Sequence, residues 1–432
     1  MLESLHLENV GPAPSMDMAL APRLNLLTGD NGLGKSFLLD VAWWALTRKW
    51  PQELNGYLTS GYRAMPRDVK KPATIRFRIQ SKTKPVEYTS KYSPRDERWL
   101  GKAGRPANPG LVIYAHADGG FSVWDPARNY WKTRGKEDVQ DTVPAYVFSP
   151  LEVWNGRTID FGGKPTLICR GLIDDWAIWI RENGESAGYM AVILRHLAPP
   201  GESIEVGPLL RLSVNDARDI PSIKTPYADA VRIVHASAGA RRIMGLAYML
   251  MWSWDEHTRN ADLQGLAWAN QVTMLFDEIE SHLHPRWQRS ILRSVLAVAQ
   301  VLHEHAKVQL IAATHSPLVL ASAEPIFDDD KDAWFDLDLN RKSGLVELRR
   351  RPFVRHGDVS NWLTSEAFDL KSARSIPAEE AIEEARAFLR QSRHTVARAK
   401  AIDAKLRKAG MPDIDPFWVR WGAFLERLGA KA

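Results

Sequence analysis

The chain has 432 residues, 45% of them hydrophobic, which is enough to bury a large core as one big α/β domain with additions or as two domains and excludes a disordered protein. Its net charge of +5, from 57 basic and 52 acidic side chains, is a mild bias that permits nucleic-acid contact without arguing for it. One cysteine, Cys169, excludes an intrachain disulfide framework and a cysteine-built zinc site, and no stretch reaches the roughly eighteen apolar residues of a membrane span, so a reduced cytoplasmic setting is expected, with no membrane.

At the start, Leu2, Leu5, Leu7 and Val10 alternate with polar residues, which predicts a strand over 3–9 and no secretory leader. A turn-rich connection with Gly11, Pro12 and Pro14 leads to a second strand at 24–28. There Gly29, Asp30, Asn31, Gly32, Leu33, Gly34, Lys35 and Ser36 fit G-x-x-x-x-G-K-[ST], and a helix continues from Phe37. Glycines let successive backbone N–H groups turn inward around an anion, and the helix adds its positive end. Residues 29–37 thus read as a phosphate cradle, in which Lys35 reaches the β- and γ-phosphates of a nucleotide and the Ser36 hydroxyl sits on Mg²⁺. A glycine loop with a surface lysine is the plainer alternative; the strand before and the helix after argue against it.

The helix after the cradle ends before Pro51. Strands are expected at 73–80, 86–92, 110–116 and 120–124, a partly antiparallel sheet packed on the nucleotide core. A short strand at 145–148 ends in Ser149-Pro150, and helices follow from about 168 to 197. Residues 241–254 form a helix too apolar all round to be exposed. A βαβ unit spans 272–321, with its helix at 285–304 and its second strand at 308–313, and the sheet closes with strands at 333–339 and 344–350. The tail is helical: Ser375 caps a helix whose acidic first turns and basic continuation through Arg398 and Lys400 match the macrodipole, and a last helix covers 416–428. The 17 tryptophans are scattered, as packing anchors are.

The apolar strand from Val272 ends in Asp277-Glu278. Paired carboxylates at the tip of a buried strand are costly unless they hold a metal or a proton. In those roles Asp277 assists Mg²⁺ and Glu278 polarises the water that attacks the γ-phosphate, unless the two acids merely cap the next helix. His282 and His284 lie near the acids, but no third ligand stands at a suitable spacing for a metal. Before the apolar helix, Ser237 and Gly239 offer a hydroxyl, a small-residue N–H and a helix N-terminus to one point, which suits an anion or a simple helix cap.

Together, Asp277-Glu278-x-Glu280-x-His282-Leu283-His284-Pro285-x-Trp287-Gln288 resembles the Walker B and D-loop of the ABC-type ATPase superfamily, in the branch of SMC-like and RecF-like proteins and the AAA-type ATPases of bacterial defence systems. Ile311 to Pro317 resembles that family's strand and switch histidine, which makes His315 a γ-phosphate contact. Val234 to Arg242 resembles the signature LSGGQ, with Ser237 and Gly239 retained and Ala236, Ala238 and Ala240 in place of Leu, the first Gly and Gln. In the family this motif faces the γ-phosphate held by a second subunit. The lid glutamine is missing: the strand at 145–148 ends in Ser149, so Ser149 or Glu152 is expected in its place.

The resemblance covers 1–48 and 230–322, extends loosely over 334–370, and assigns nothing to 49–229 or the tail. It implies an α/β fold: an ABC-ATPase-like P-loop core with a mixed sheet, an antiparallel β-subdomain, a helical insertion and a C-terminal helical tail. The ATPase domain is expected at 1–355, with a β-rich and helical insertion at 49–229, and the helical region at 356–432. It further implies ATP and Mg²⁺ as cofactors, hydrolysis to ADP and phosphate by Glu278 and His315, and a homodimer or higher oligomer closed around ATP. No heptads run through 49–229, which argues against the long coiled coils of an SMC-type protein, and the resemblance implies a defence or DNA-linked ATPase acting with an effector protein ahead of an SMC- or RecF-like repair ATPase. An OLD-type nuclease is the other alternative, for which Asp336-Leu337-Asp338 supplies a D-x-D.

Overall fold

The computed structural model describes residues 1–81, 84–101, 106–130, 132–134, 137–139, 142–225, 227–302, 304, 306–368 and 370–429. They fall into two compact units, Met1–Gly357 and Asp358–Ala432.

The first unit is built on an eight-stranded sheet in the order Tyr146–Phe148, Phe121–Trp124, Leu111–Ala115, Gln271–Phe276, Lys307–Ala313, Leu24–Gly29, Asp332–Asn340, Leu345–Arg351. The five strands from Leu111–Ala115 to Asp332–Asn340 run parallel, and antiparallel strands flank them on both sides. Every residue of Leu111–Ala115 and Gln271–Phe276 is buried, because helices or a second sheet cover both faces of a parallel sheet; their sequences are therefore apolar runs without alternation.

A five-stranded antiparallel sheet, Ser15–Ala19, Leu2–Glu8, Thr74–Gln80, Pro85–Ser93, Arg98–Trp99, covers the helix Lys35–Thr47. Thr74–Gln80 alternates buried Ile75, Phe77 and Ile79 with exposed Arg76 and Arg78. Those inward residues join Leu38, Trp43 and Trp44 of the helix and Tyr114, Leu275 and Ile311 of the main sheet in one apolar cluster. The helix is thus buried from Leu38 to Thr47, and truncating either tryptophan to alanine costs about 3–5 kcal/mol. The opposite face of the main sheet is covered by the 26-residue helix Ala238–Leu263, with Glu185–Leu197 packed on it and Ile291–Leu302 packed in turn on Glu185–Leu197.

Several expectations shift. Strand Ser15–Ala19 is absent from the sequence pattern because only Met16 and Met18 point inward, too short an alternation to stand out. The helices expected from 168 begin at Leu172, since Lys164–Cys169 pairs with Arg157–Phe161 in a hairpin turned by Gly162 and Gly163, both at positive φ. The helix expected at 285–304 is two, Pro285–Gln288 and Ile291–Leu302. Three strands of the main sheet, Leu111–Ala115, Phe121–Trp124 and Tyr146–Phe148, come from residues 49–229. Among the described residues no helix is long and apolar enough to cross a membrane.

The second unit packs Ile376–Leu389, Val396–Lys408 and Phe417–Arg427 around Ile382, Phe388, Ile402, Leu406 and Trp421. The expected continuation through Lys400 breaks at 390–395, where Thr395 caps a new helix by accepting the Arg398 N–H. Ser375 stands at the N-cap of the first helix without a side-chain cap hydrogen bond.

Candidate functional site

Strand Leu24–Gly29 ends in the middle of the sheet, and the chain must turn back at once into Lys35–Thr47. Gly29 has φ +130°, and a Cβ there would lie 2.2 Å from the Leu337 carbonyl oxygen, so only glycine fits. Gly34, at φ +106°, is the N-cap of the helix, whose free N–H groups therefore open on the loop. Lys35 is buried, and its ammonium donates to the carbonyls of Gly29 and Asp30 at 2.7 and 2.9 Å. Burial pushes its pKa down, opposed by the field of Asp277, Asp30, Glu280 and Glu278.

The cradle and the acids meet. Ser36 Oγ donates to Asp277 Oδ1 at 3.0 Å across 241 positions of sequence. Asp277 is buried just past Gln271–Phe276, and its carboxyl is pushed up to about 6, first by desolvation and then by Glu278 and Glu280, against the hydrogen bond from Ser36 and the charge of Lys35. Glu278 is partly buried and held at φ +47°. Glu280 accepts Thr314 Oγ1 at 2.7 Å and the His315 N–H at 2.5 Å, which ties the acid strand to the end of Lys307–Ala313 and fixes the His315 backbone. The His315 pKa is lowered, first by desolvation and next by Lys35, against the charges of Glu278 and Asp30, which favours the neutral imidazole. Gly29 to Ser36, Asp277, Glu278 and His315 therefore gather at the C-terminal ends of three adjacent parallel strands, the place where open α/β sheets bind ligands.

Ser237 and Gly239 lie elsewhere. Ser237 caps Ala238–Leu263 by accepting the Ala240 N–H, and a Cβ on Gly239 would lie 3.2 Å from the His282 carbonyl oxygen. The cleft beside them is lined by Glu202, His282, His284, Arg286 and Trp287, with no cradle residue among its described lining. Among the described residues no group of three or more His, Cys, Asp or Glu side chains is placed to hold a metal by itself.

Residues 24–321 match the family model described as "AAA domain, putative AbiEii toxin, Type IV TA system". The chain belongs to this family. Over 134 residues this AAA domain protein is 37% identical to the Septu protein PtuA of Bacillus mycoides (strain KBAB4); the match takes in 31% of this chain and 16% of that protein's length. Among solved structures it is similar to an SMC head bound to the C-winged helix domain of ScpA, with a TM-score of 0.44 and 15% identity over 81% of this chain and 98% of that one. It is also similar to the recombination mediator RecF, with a TM-score of 0.38 and 14% identity over the same shares.

The AAA domain also holds residues that the motifs miss. The strand beside the acids is Leu111–Ala115, not 145–148, which pairs two places further out. Ser149 and Glu152 are spent on a capping box, and Glu152 also accepts from Asn55. The position next to Asp277 falls instead to His116: the Asp277 N–H donates to the Ala115 carbonyl, and the buried His116 ring lies between Ser60 Oγ at 3.0 Å and Ser122 Oγ at 2.8 Å. Burial lowers its pKa to about 4. Its carbonyl accepts Arg242 Nη2 at 2.8 Å, which links this turn to the long helix, while Arg242 Nη1 is buried without a hydrogen-bond partner among the described residues. Beneath lies Tyr114, whose hydroxyl donates to Asp40 Oδ1 at 2.9 Å. A run of strand ending in Ala115-His116 next to the acid strand was the available signal, but only the sheet order reveals it. Asp336 of the D-x-D is buried in the main sheet, where it accepts Thr28 Oγ1 at 2.9 Å and lies 3.6 Å from Arg351.

Proposed function

We propose that this chain binds ATP with Mg²⁺ and hydrolyses it, and that two copies clamp two nucleotides, each between the cradle of one copy and the Ser237 end of the other. The observation that carries the reading is the Ser36–Asp277 contact, which brings a glycine loop and a strand-end carboxylate to one point. The donor set fits the metal: a hydroxyl and a carboxylate are the hard oxygens that Mg²⁺ takes, and the positive φ of Gly29, Gly32 and Gly34 gives the loop the turns by which backbone N–H groups face phosphate oxygens. Bound there, Mg²⁺ would neutralise charge on the phosphates.

In this reading Lys35 exchanges its two carbonyl partners for phosphate oxygens, Glu278 accepts a proton from the attacking water, and neutral His315 donates to the γ-phosphate. Glu280 holds His315 in place. Ser237 and Gly239, whose cleft has no cradle residue in its described lining, serve a second copy, and closing the pair turns nucleotide state into shape. Similarity to PtuA supports a place in a bacterial defence system beside an effector protein, in the cytoplasm. The engagement of Asp336 with Thr28 and Arg351 gives the nuclease alternative little support.

The test compares two variants. Lys35→Ala is expected to lose ATP binding, whereas Glu278→Gln keeps it, loses turnover by about 10²–10⁴-fold and accumulates as a dimer with ATP. Equal loss of binding in both would overturn the assignment, and Mg²⁺-dependent plasmid nicking would favour the nuclease.

A further inference from the structure

The last third of the helix Ala238–Leu263 borders a cleft of about 720 Å³, within the size range of small-molecule sites and lined by none of the cradle or acid residues described above. Indole rings make its walls. Trp179 comes buried from the helix Leu172–Glu182, Trp254 from the long helix, and Trp268, 48% exposed, from the connection to the acid strand. Trp254 and Trp268 stand edge to face with centroids 6.1 Å apart, and Trp268 Nε1 donates to Asp262 Oδ1 at 2.8 Å, so the exposed ring is held in one orientation.

The charge of the cleft is opposite to that of the chain. Glu182, Glu185 and Glu304 lie in its lining, and the lining's described basic residue, Arg259, is committed to Asp255 at 3.0 Å. In a protein of net charge +5, carboxylates in the lining of a cleft walled by indoles repel anions, nucleotides included. A neutral apolar molecule would gain only from the rings. A cation gains from both, because indole faces attract positive charge within about 6 Å and most strongly where water is excluded. We propose that this cleft binds a small organic cation, an ammonium or quaternary ammonium group on an apolar body, with Trp179, Trp254 and Trp268 around the charged group and Glu182 and Glu185 supplying the counter-charge.

Titration calorimetry on the full chain with benzyltrimethylammonium, 2-phenylethanol and phenylacetate separates charge from ring size. The expected order is cation, neutral, anion, with the cation at least about tenfold tighter than the alcohol. Trp268→Ala and Glu182→Gln change exposed side chains; each is expected to weaken the cation about fivefold or more with an unchanged melting temperature, and Trp268→Phe to restore part of the loss. Equal affinity for cation and alcohol, affinity untouched by either variant, or no cation binding up to about 10 mM would overturn the proposal.

Discussion

At the scale of single residues, burial raises two carboxyls of the site, Asp277 and Glu280, above their ordinary range. Glu280 accepts two hydrogen bonds from the neighbouring strand end, so Glu280→Ala leaves Thr314 Oγ1 and the His315 N–H without their acceptor. That is expected to cost about 1–3 kcal/mol of stability and to lower turnover with ATP affinity nearly unchanged; a kcat equal to wild type in a destabilised variant would reduce Glu280 to a structural tie. Asp40 gives a pH prediction. Burial beside the Tyr114 hydroxyl, with the charge of Asp277 adding to it, raises Asp40 from 3.8 to about 7. Between those values the folded protein keeps a proton that the unfolded chain releases, so stability falls as pH rises through that window and the loss is complete above it. Asp40→Asn removes this titration while its amide oxygen still accepts from Tyr114. Denaturant titrations across the window are expected to show the variant gaining on wild type by on the order of 2–4 kcal/mol as pH rises; a difference constant with pH would refute the assignment.

At the scale of elements, what could be read from the sequence was whatever one strand tip and its loop carry together. Gly29 to Ser36 and Asp277 to Glu280 are contiguous strings, each following an apolar strand as its polar tip, and the Ser36–Asp277 hydrogen bond joins them. His116 and Arg242 were illegible for a physical reason: their importance comes from which strands are neighbours, and the pairing of Leu111–Ala115 with Gln271–Phe276 leaves no local pattern in either. The Gly162-Gly163 hairpin was legible in principle, since two glycines between short strands favour a two-residue turn, but the helix that follows masked it. The Arg242 link makes the long helix testable as a transmitter. Ser237 lies at its N-terminal cap, Arg242 one turn on, and the turn Arg242 grips hydrogen-bonds to Asp277 through Ala115. Arg242→Ala is expected to lower kcat by about tenfold or more with KM nearly constant, and Arg242→Lys to recover part of it. A loss confined to stability, with kcat intact, would make Arg242 a packing residue.

For the whole molecule, the decisive question is whether Ser237 works on its own chain's nucleotide or on a second copy's. Its cleft is lined by Glu202, His282, His284, Arg286 and Trp287 and, among the described residues, by none of the cradle, which fits the second arrangement. Ser237→Arg puts a long cation where the proposed phosphate contact lies, and is expected to keep ATP binding and abolish turnover; Lys35→Ala abolishes both. If each site is shared, mixing the two dead variants regenerates activity. In a dimer of one copy of each, the intact cradle of the Ser237→Arg chain faces the intact Ser237 of the Lys35→Ala chain, and the other site is doubly broken. Random pairing at equal amounts makes half the dimers mixed with one good site of two, so turnover should recover to about a quarter of wild type. A mixture as dead as its components, with mixed dimers present by mass, would require either that Ser237 serve its own chain or that both sites fire together; wild type doped with Lys35→Ala then separates the two, since activity falling in proportion to the wild-type share leaves only the first.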